Sequence, residues 1–314
     1  MTRYSRTSIV GMLLAAEVLI VGIGALALGG SLHGVTAQAA ALHSERFVPQ
    51  AIPATDAGLT PRVQISDPDS KVVVTASNDG RVHVTDLTNV SGLVWGSVNL
   101  AQAHLIRTSE GVRIERAPEK NSMTFSFGDI TQRIEVAVPP GSTLDIEQCS
   151  GASVASLTGS VRVRSQDGRI TASDLGGDLD ALSSNGSLEV HNVHAARVAL
   201  QSLDGHLRLD DVHATTLLAT TDDGSIRGDG IILNGVAASG RIRSSDGSVR
   251  LHFSDAGNSN VHARTADGHI VINGQSTHGD GDGAETRAVL GNASGSLDIS
   301  TQSGAITLTT NGAL

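Results

Sequence analysis

The sequence predicts an all-β fold, a parallel β-solenoid with two short strands in each coil of about twenty residues, and three observations carry this prediction. A phrase of two alternating apolar residues, a Ser or Thr, and a Gly three positions later recurs seven times between Val161 and Ile306. The repeat glycines from Gly168 to Gly268 are 18 to 23 residues apart, which suits one coil of two strands and two turns. No proline follows Pro140, as expected of strands that keep their ladder hydrogen bonds.

Each repeat unit reads as two strands joined by a turn. Val161, Val163 and Ser165 alternate with Arg162 and Arg164, so one face is buried and the other faces solvent. Asp, Asn or Ser precedes each repeat glycine, and Asp-Gly and Asn-Gly favour tight turns because both residues tolerate positive φ. A hydroxyl residue ends the first strand of every unit, and we expect this column to form an internal ladder that bonds the turn backbone. Its members are Ser165, Ser183, Ser202, Thr221, Ser244, Thr265 and Thr301.

An antiparallel sandwich or barrel built from hairpins is the alternative fold, because Asp-Gly turns suit hairpins too. The regular period and the repeated identities of the hydroxyl column favour the stacked solenoid. If equivalent strands stack in parallel about 4.8 Å apart, seven units span on the order of 30–35 Å.

The N-terminal segment carries a membrane signal. Residues 9–28 are apolar apart from Glu17, and a helix of this length crosses a bilayer. Arg3 and Arg6 precede it, so we expect the N-terminus to stay inside and the solenoid to lie outside the cytoplasm on a single-pass anchor. A cleaved signal peptide is the alternative, since Ala37-Gln38-Ala39 has the small-x-small form of a cleavage site, and cleavage would give a secreted or periplasmic chain.

The rest of the chain divides by composition. Three prolines precede the first strand pattern at Val63, which is typical of a linker, and residues 86–137 are irregular and fit a divergent cap of the solenoid. The predicted segments are a cytoplasmic basic flank (1–8), a transmembrane segment or signal peptide (9–30), a linker (31–62), a divergent β cap with the first strands (63–140) and the β-solenoid repeats (141–314).

The last predicted strand, from Ala305 to Thr309, is followed by five residues, too few to cap a coil. We therefore expect an open end with Ile306 and Leu308 exposed. Unpaired strand edges invite pairing with another chain, which predicts weak self-association through the C-terminal coil.

The segment from Arg133 to Ile146 reads R-I-E-V-A-V-P-P-G-S-T-L-D-I, and the recurring Ser/Thr-x-Asp-Gly-x-Ile turns follow it. This combination resembles the putative-adhesin family of β-strand-repeat proteins, a domain of unknown function, over about residues 63–314. The resemblance implies an exported parallel β-solenoid with an adhesin-like role and supplies no catalytic residues. The turn at Cys149 departs from the pattern because Val154 comes one residue late, and we expect Cys149 to be a small buried residue.

One long insertion separates Gly268 from Gly304, where the spacing is 36 residues. It contains a Gly/Asp-rich loop from Asn273 to Glu285, whose oxygen ligands would suit calcium. The loop occurs once and lacks the register of repeated calcium-binding turns, so we interpret it as a solvated loop. Its candidate ligands are His278, Asp280, Asp282 and Glu285.

Histidines form a second candidate cluster. His191 and His194 lie one coil before His213, and stacking would bring His194 near His213, as in zinc sites. No cysteine accompanies them, and solvated surface histidines are the simpler interpretation. We therefore expect no metal site and no cofactor.

An enzymatic role is the third interpretation, because parallel β-helices include polysaccharide lyases and hydrolases. Asp222, Asp223 and Asp246 line the turn edge, but they occupy slots that Asp and Asn fill in other coils for backbone reasons. Sugar clefts use aromatic platforms, and the chain has one Trp and one Tyr. We expect no catalytic residues.

The sequence thus predicts a non-catalytic, exported, membrane-anchored β-solenoid that acts as an adhesin-like interaction scaffold. Its expected partner is a protein or glycan of the envelope or cell surface. The net charge of −10 argues against nucleic acid as the main partner. A carbohydrate- or ligand-binding envelope module is the alternative.

Overall fold

Two columns of stacked parallel strands form the fold in the computed structural model. The structure describes residues 47–95, 102–116, 125–235, 237–255, 259–278, 283–289 and 294–311, all within the unit Leu42–Leu314. Within these ranges the regular structure is all strand, and no helix is long and apolar enough to cross a membrane. The predicted anchor at residues 9–30 lies outside the described residues.

The strands are β1 (Phe47–Thr55), β2 (Arg62–Ala76), β3 (Val82–Trp95), β4 (Ala103–Arg107), β5 (Gly111–Arg116), β6 (Phe125–Val138), β7 (Thr143–Ala155), β8 (Val161–Ser165), β9 (Ile170–Leu175), β10 (Leu179–Ser183), β11 (Leu188–Ser202), β12 (Leu207–Thr221), β13 (Ile226–Leu233), β14 (Ser239–Asp246), β15 (Val249–Asp255), β16 (Ser259–Asp267), β17 (His269–Ile272), β18 (Gln275–His278), β19 (Ala284–Val289), β20 (Gly295–Ser303) and β21 (Ile306–Thr310).

Parallel pairing arranges these strands into coils, each with one strand in a first column and one in a second. The first column stacks, in spatial order, β5, residues 62–66 of β2, residues 143–146 of β7, β8, β10, residues 198–202 of β11, residues 216–221 of β12, β14, β20 and β16. The second column stacks residues 132–138 of β6, residues 70–76 of β2, residues 151–154 of β7, β9, residues 188–193 of β11, residues 207–214 of β12, β13, β15, β21 and β17. The predicted parallel β-solenoid is confirmed.

The core lies between the two columns and is filled by alternate residues of each strand. In β8 the burial alternates strictly, so Val161, Val163 and Ser165 are buried and Arg162 and Arg164 are exposed, as the period of two predicts. The buried apolar residues of successive coils form one continuous cluster from Val63 to Leu308.

The hydroxyl ladder is also present, and it joins neighbouring coils. Oγ of Ser202 donates to the carbonyl oxygen of Gly186 at 3.0 Å, and Oγ1 of Thr221 donates to that of Gly205 at 2.8 Å. At the first full repeat, Oγ of Ser165 donates to the carbonyl of Cys149 at 3.1 Å. These hydrogen bonds therefore hold the turns of neighbouring coils against each other.

The repeat glycines are required for close packing, and the predicted role of positive φ is wrong at these positions. Gly168 to Gly268 in the repeat do not adopt left-handed φ. Instead, a Cβ on Gly205 would lie 2.3 Å from the carbonyl oxygen of Gly186 and 2.6 Å from Oγ of Ser202. Left-handed backbone occurs at a different corner of the coil, in a column of Ser, Asp, Asn and Gly. Its members are Ser156, Asp174, Asn192, Asp211 and Gly230, with φ between 51° and 69°.

The order of the coils in space differs from their order in the sequence at the C-terminal end. Strand β20 lies between β14 and β16, and β21 lies between β15 and β17. The ladder follows the same order, because Thr301 donates to Gly247 and Thr265 donates to Gly304, each at 2.9 Å. Consequently Ile306 and Leu308 are fully buried. The expectation that they are exposed at an open end is wrong. Their burial also removes the motive for predicting self-association through that strand.

Antiparallel strands cover both ends of the stack. At one end β3 pairs with β6, β1 with β3, and β4 with β5, and at the other β18 pairs with β17 and β19 with β16. Two sequence-based interpretations change as a result. Strand β1 lies inside the segment predicted to be a linker, and the predicted solvated loop contributes β18 and the start of β19 as an end cap.

A buried ion cluster fixes the N-terminal cap. Arg116 of β5 donates from Nε to Oδ2 of Asp67 at 2.8 Å and from Nη2 to Oδ1 of Asp86 at 2.7 Å. Burial raises the pKa of Asp67 above its ordinary value, although the hydrogen bond to Arg116 acts to lower it. Because the backbone N–H of Ala103 also donates to Asp86 at 3.0 Å, the cluster ties β2, β3, β4 and β5 together.

The alternation of inward and outward positions predicts that the same substitution has a large effect at one residue and little effect at the next. Ile226 is fully buried and Arg227 is exposed. Ile226→Asp places a charge in the core and should lower the free energy of unfolding by on the order of 3–5 kcal/mol. Arg227→Asp should change it by less than about 0.5 kcal/mol. Chemical denaturation of both variants tests this, and equal losses would contradict the alternation.

The close approach of the turns makes a second prediction. Gly205→Ala should lower the free energy of unfolding by on the order of 1–3 kcal/mol, because its methyl group collides with the backbone of the neighbouring coil. Gly176→Ala is the matched control, since its Cβ would have no neighbour closer than 3.6 Å, and it should stay within about 0.5 kcal/mol of the wild type. If thermal and denaturant unfolding gave the same stability for both variants, the packing explanation of the repeat glycines would fail.

Candidate functional site

The outer face of the first column has an apolar centre where three coils meet. Asp180, Ala199 and Leu218 are in register on adjacent strands, as are Leu182, Gln201 and Thr220. Leu182 is 39% exposed, and Leu203, in the turn that follows β11, is 53% exposed. Leu218 is half-buried, and Ala199 beside it is buried. We call Leu182, Leu218 and Leu203 the apolar strip.

Arginines border the apolar strip on both sides. Arg162 and Arg164 of β8 pair in register with Asp180 and Leu182, and Arg241 and Arg243 of β14 pair in register with Leu218 and Thr220. Of these four, Arg162 approaches a carboxylate, with Nε 3.6 Å from Oδ2 of Asp180. The centre of the face is therefore apolar except for the carboxylate of Asp180 beside Arg162, and its rim is basic, an arrangement typical of interaction surfaces.

A shallow groove continues this face beyond the rim. Ser300 of β20 is in register with Arg243 on one side and Arg264 of β16 on the other. The lining of the groove between them includes these three residues, Thr220, Gln302 and the acidic Asp222. Arg264 therefore adds a further arginine to the same face.

The histidine cluster predicted from stacking forms, and it contains a third residue. His194 and His213 are in register on β11 and β12, with ring centroids 4.1 Å apart. Asp211 joins them, so one ligand atom from each of the three residues lies within 4.8 Å of the others. His191 is not part of the cluster, because it pairs in register with Asp210 and Ser173. The sequence signal for Asp211 is the repeated phrase N-V-H and D-V-H, one coil apart.

The candidate calcium ligands are not assembled among the described residues. Glu285 is bound to the protein itself, since its Oε1 lies 2.9 Å from Nε2 of His262 and 3.0 Å from Nη2 of Arg287. The hydrogen bond from His262 lowers the pKa of Glu285 below its ordinary value. Asp280, Asp282 and the side chain of His278 lie outside the described residues.

The turn-edge acids serve the turns. The backbone N–H of Asp246 donates to the carbonyl of Asp222 at 2.8 Å, and that of Asp223 donates to the carbonyl of Leu203 at 2.9 Å. All three carboxylates are exposed on the edge of the stack. Cys149 is buried as expected, and burial raises the pKa of its thiol.

Comparison with known proteins identifies the family. No curated protein matches the chain. Among solved structures it is similar to a putative adhesin from Bacteroides fragilis NCTC 9343, at 11% identity and a TM-score of 0.37, covering 85% of this chain and 98% of that one. It is also similar to a putative cell adhesion protein from Clostridium sporogenes ATCC 15579, at 10% identity and a TM-score of 0.28, covering 85% and 100%. The model of the Toastrack DUF4097 family matches residues 62–309, so the resemblance to a β-strand-repeat family of unknown function is confirmed and the chain belongs to this family.

Proposed function

We propose that this protein is an exported, membrane-anchored, non-catalytic scaffold that binds an acidic protein of the cell envelope through the outer face of its first column. The observation that carries the proposal is the apolar strip between two pairs of arginines. Burying Leu182 and Leu218 against a partner favours association, and carboxylates on the partner would pair with the arginines of the rim.

A protein partner fits this face better than a glycan. Sugar-binding surfaces use aromatic rings as platforms, whereas the exposed apolar residues here are the leucines Leu182 and Leu203. A carbohydrate-binding module remains the second candidate because Arg243, Ser300 and Arg264 supply hydrogen-bond donors along the groove.

Regular stacking supports a scaffold more than an enzyme. The turn-edge aspartates bond through their backbones, and the hydroxyls of the ladder donate to buried carbonyls. These structural contacts support a scaffold.

Cross-linking in intact cells tests the proposed face. A photo-reactive residue at position 182 of the full-length chain should give a discrete, protease-sensitive adduct, whereas the same residue at position 227 of the second column should not. Arg241→Glu with Arg243→Glu should reduce the adduct at least fivefold, because the substitutions reverse the charge of one rim. Arg227→Glu with Arg250→Glu is the matched control on the opposite column and should leave the adduct unchanged.

Two outcomes would contradict this proposal. Adducts of equal yield at positions 182 and 227 would show that the first column has no selective partner. An adduct that resists protease but is removed by glycosidases would identify a glycan and favour the carbohydrate-binding alternative.

The proposed anchor makes a separate prediction. The apolar residues 9–28 and the preceding Arg3 and Arg6 should keep the mature chain in the membrane fraction after an alkaline wash. A reporter fused after Leu314 should be active only outside the cytoplasm. Recovery of a soluble chain that starts at Ala40 would instead show that the segment is a cleaved signal peptide.

A further inference from the structure

We propose that His194, His213 and Asp211 form a binding site for a divalent transition-metal ion of the zinc class. The three side chains supply two imidazole nitrogens and one carboxylate oxygen, a donor set that zinc uses in sites that keep a fourth position open. These residues lie at the corner between the two columns and are distinct from the apolar strip, so the site is independent of the proposed partner-binding face.

The backbone holds the two histidines in matching positions. Val193 and Val212 pair in register beside His194 and His213 and are fully buried, which anchors both strands at this corner. Asp211 has a φ of 54°, the left-handed conformation that it shares with Asp174 and Asn192 in the preceding coils. Oδ1 of Asp211 lies 3.2 Å from Nε2 of His213.

The equivalent residue in the previous coil, Asn192, completes the arrangement. Its Nδ2 donates to Oδ1 of Asp174 at 2.6 Å, and its own Oδ1 faces Nε2 of His194 at 3.2 Å. The amide is thus oriented by a neighbour outside the cluster. A metal ion between the rings would have Oδ1 of Asn192 or water available as its fourth ligand.

The distances require only a small adjustment. Zinc–nitrogen bonds of about 2.0–2.1 Å place the donors of a tetrahedral site roughly 3.3 Å apart. Here the three donor atoms lie within 4.8 Å of one another. His194 and Asp211 are exposed and His213 is partly exposed, so their side chains can close this gap without moving the core.

The fold itself does not require histidine in this column. In the next coil, Ile232 occupies the position in register with His213. In the preceding coil, Leu175 pairs in register with Val193, and the residue that follows Leu175 is Gly176, not a histidine. The paired imidazoles are therefore a local feature of two coils, unlike the hydroxyl ladder, which continues through the stack.

Titration of zinc into the full-length chain, purified in detergent and stripped of metal, tests the proposal. We expect one zinc ion per chain at this site, and at least tenfold weaker binding in His194→Ala and in His213→Ala, because even residues that only orient a ligand contribute about 10–100-fold to metal affinity. His191→Ala is the matched control, an exposed histidine of the same strand, and should bind zinc like the wild type. Cobalt should give visible absorption bands typical of tetrahedral coordination, which the two cluster variants lose.

Specific zinc-binding results would contradict the proposed site. No saturable zinc binding, or equal affinity in the wild type and both cluster variants, would overturn the assignment. Zinc binding that survives in the cluster variants but is lost in Asp280→Ala with Asp282→Ala would place the ion at the Gly/Asp-rich segment and would equally overturn it.

Discussion

Close contact between the turns of neighbouring coils is the constraint on which the rest of this structure depends. Ser202, Thr221 and Ser244 each donate a hydrogen bond to a glycine carbonyl of the coil before, at 2.8–3.0 Å, and a Cβ on those glycines would collide with the backbone. Because both contacts connect different coils, they set the spacing and the register of the stack together. The buried hydroxyls also satisfy carbonyl groups that would otherwise be unpaired in the interior.

This constraint divides each coil into fixed and free positions. Inward residues must fill the core, and the hydroxyl and glycine positions must keep the turn contacts. Neither requirement applies to outward residues, so chemical differences between coils are concentrated at the outward positions. The apolar strip and the histidine cluster both occupy such positions, and each spans two or three coils because parallel register stacks equivalent residues at about 4.8 Å.

The sequence predicted the repeating part of the fold because alternation and the hydroxyl column are local patterns. Burial of Val161 and Val163 follows from the period of two, and the ladder follows from recurrence at the coil length. The spatial order at the C-terminal end could not be predicted in this way, since β16 and β20 carry the same pattern and either could stack on β14. The caps were missed for a related reason, because antiparallel strands such as β19 carry no repeat signal.

The candidate sites, like the fold, could be predicted from the sequence only in part. Stacking predicted the contact of His194 with His213, but the prediction missed Asp211, which lies two residues before His213 at a left-handed corner of the coil. Leu182 occupies an outward position next to Ala181, which is buried. The alternation of buried and exposed positions along the strand therefore predicts that this leucine is exposed. Its place within a basic rim depends on the register of four strands.

The most direct test of the turn-stacking constraint is disulfide formation between outward positions of the C-terminal coils. The structure places Ser300 in register with Arg243, about 4.8 Å away, and Arg264 one coil farther, beyond the roughly 7 Å that a disulfide can bridge. Cys149 is buried and should not compete. We predict that Arg243→Cys with Ser300→Cys forms a disulfide under mild oxidation and that Arg243→Cys with Arg264→Cys does not. The reverse result would show that the coils stack in sequence order and would contradict a stack ordered by its turn contacts.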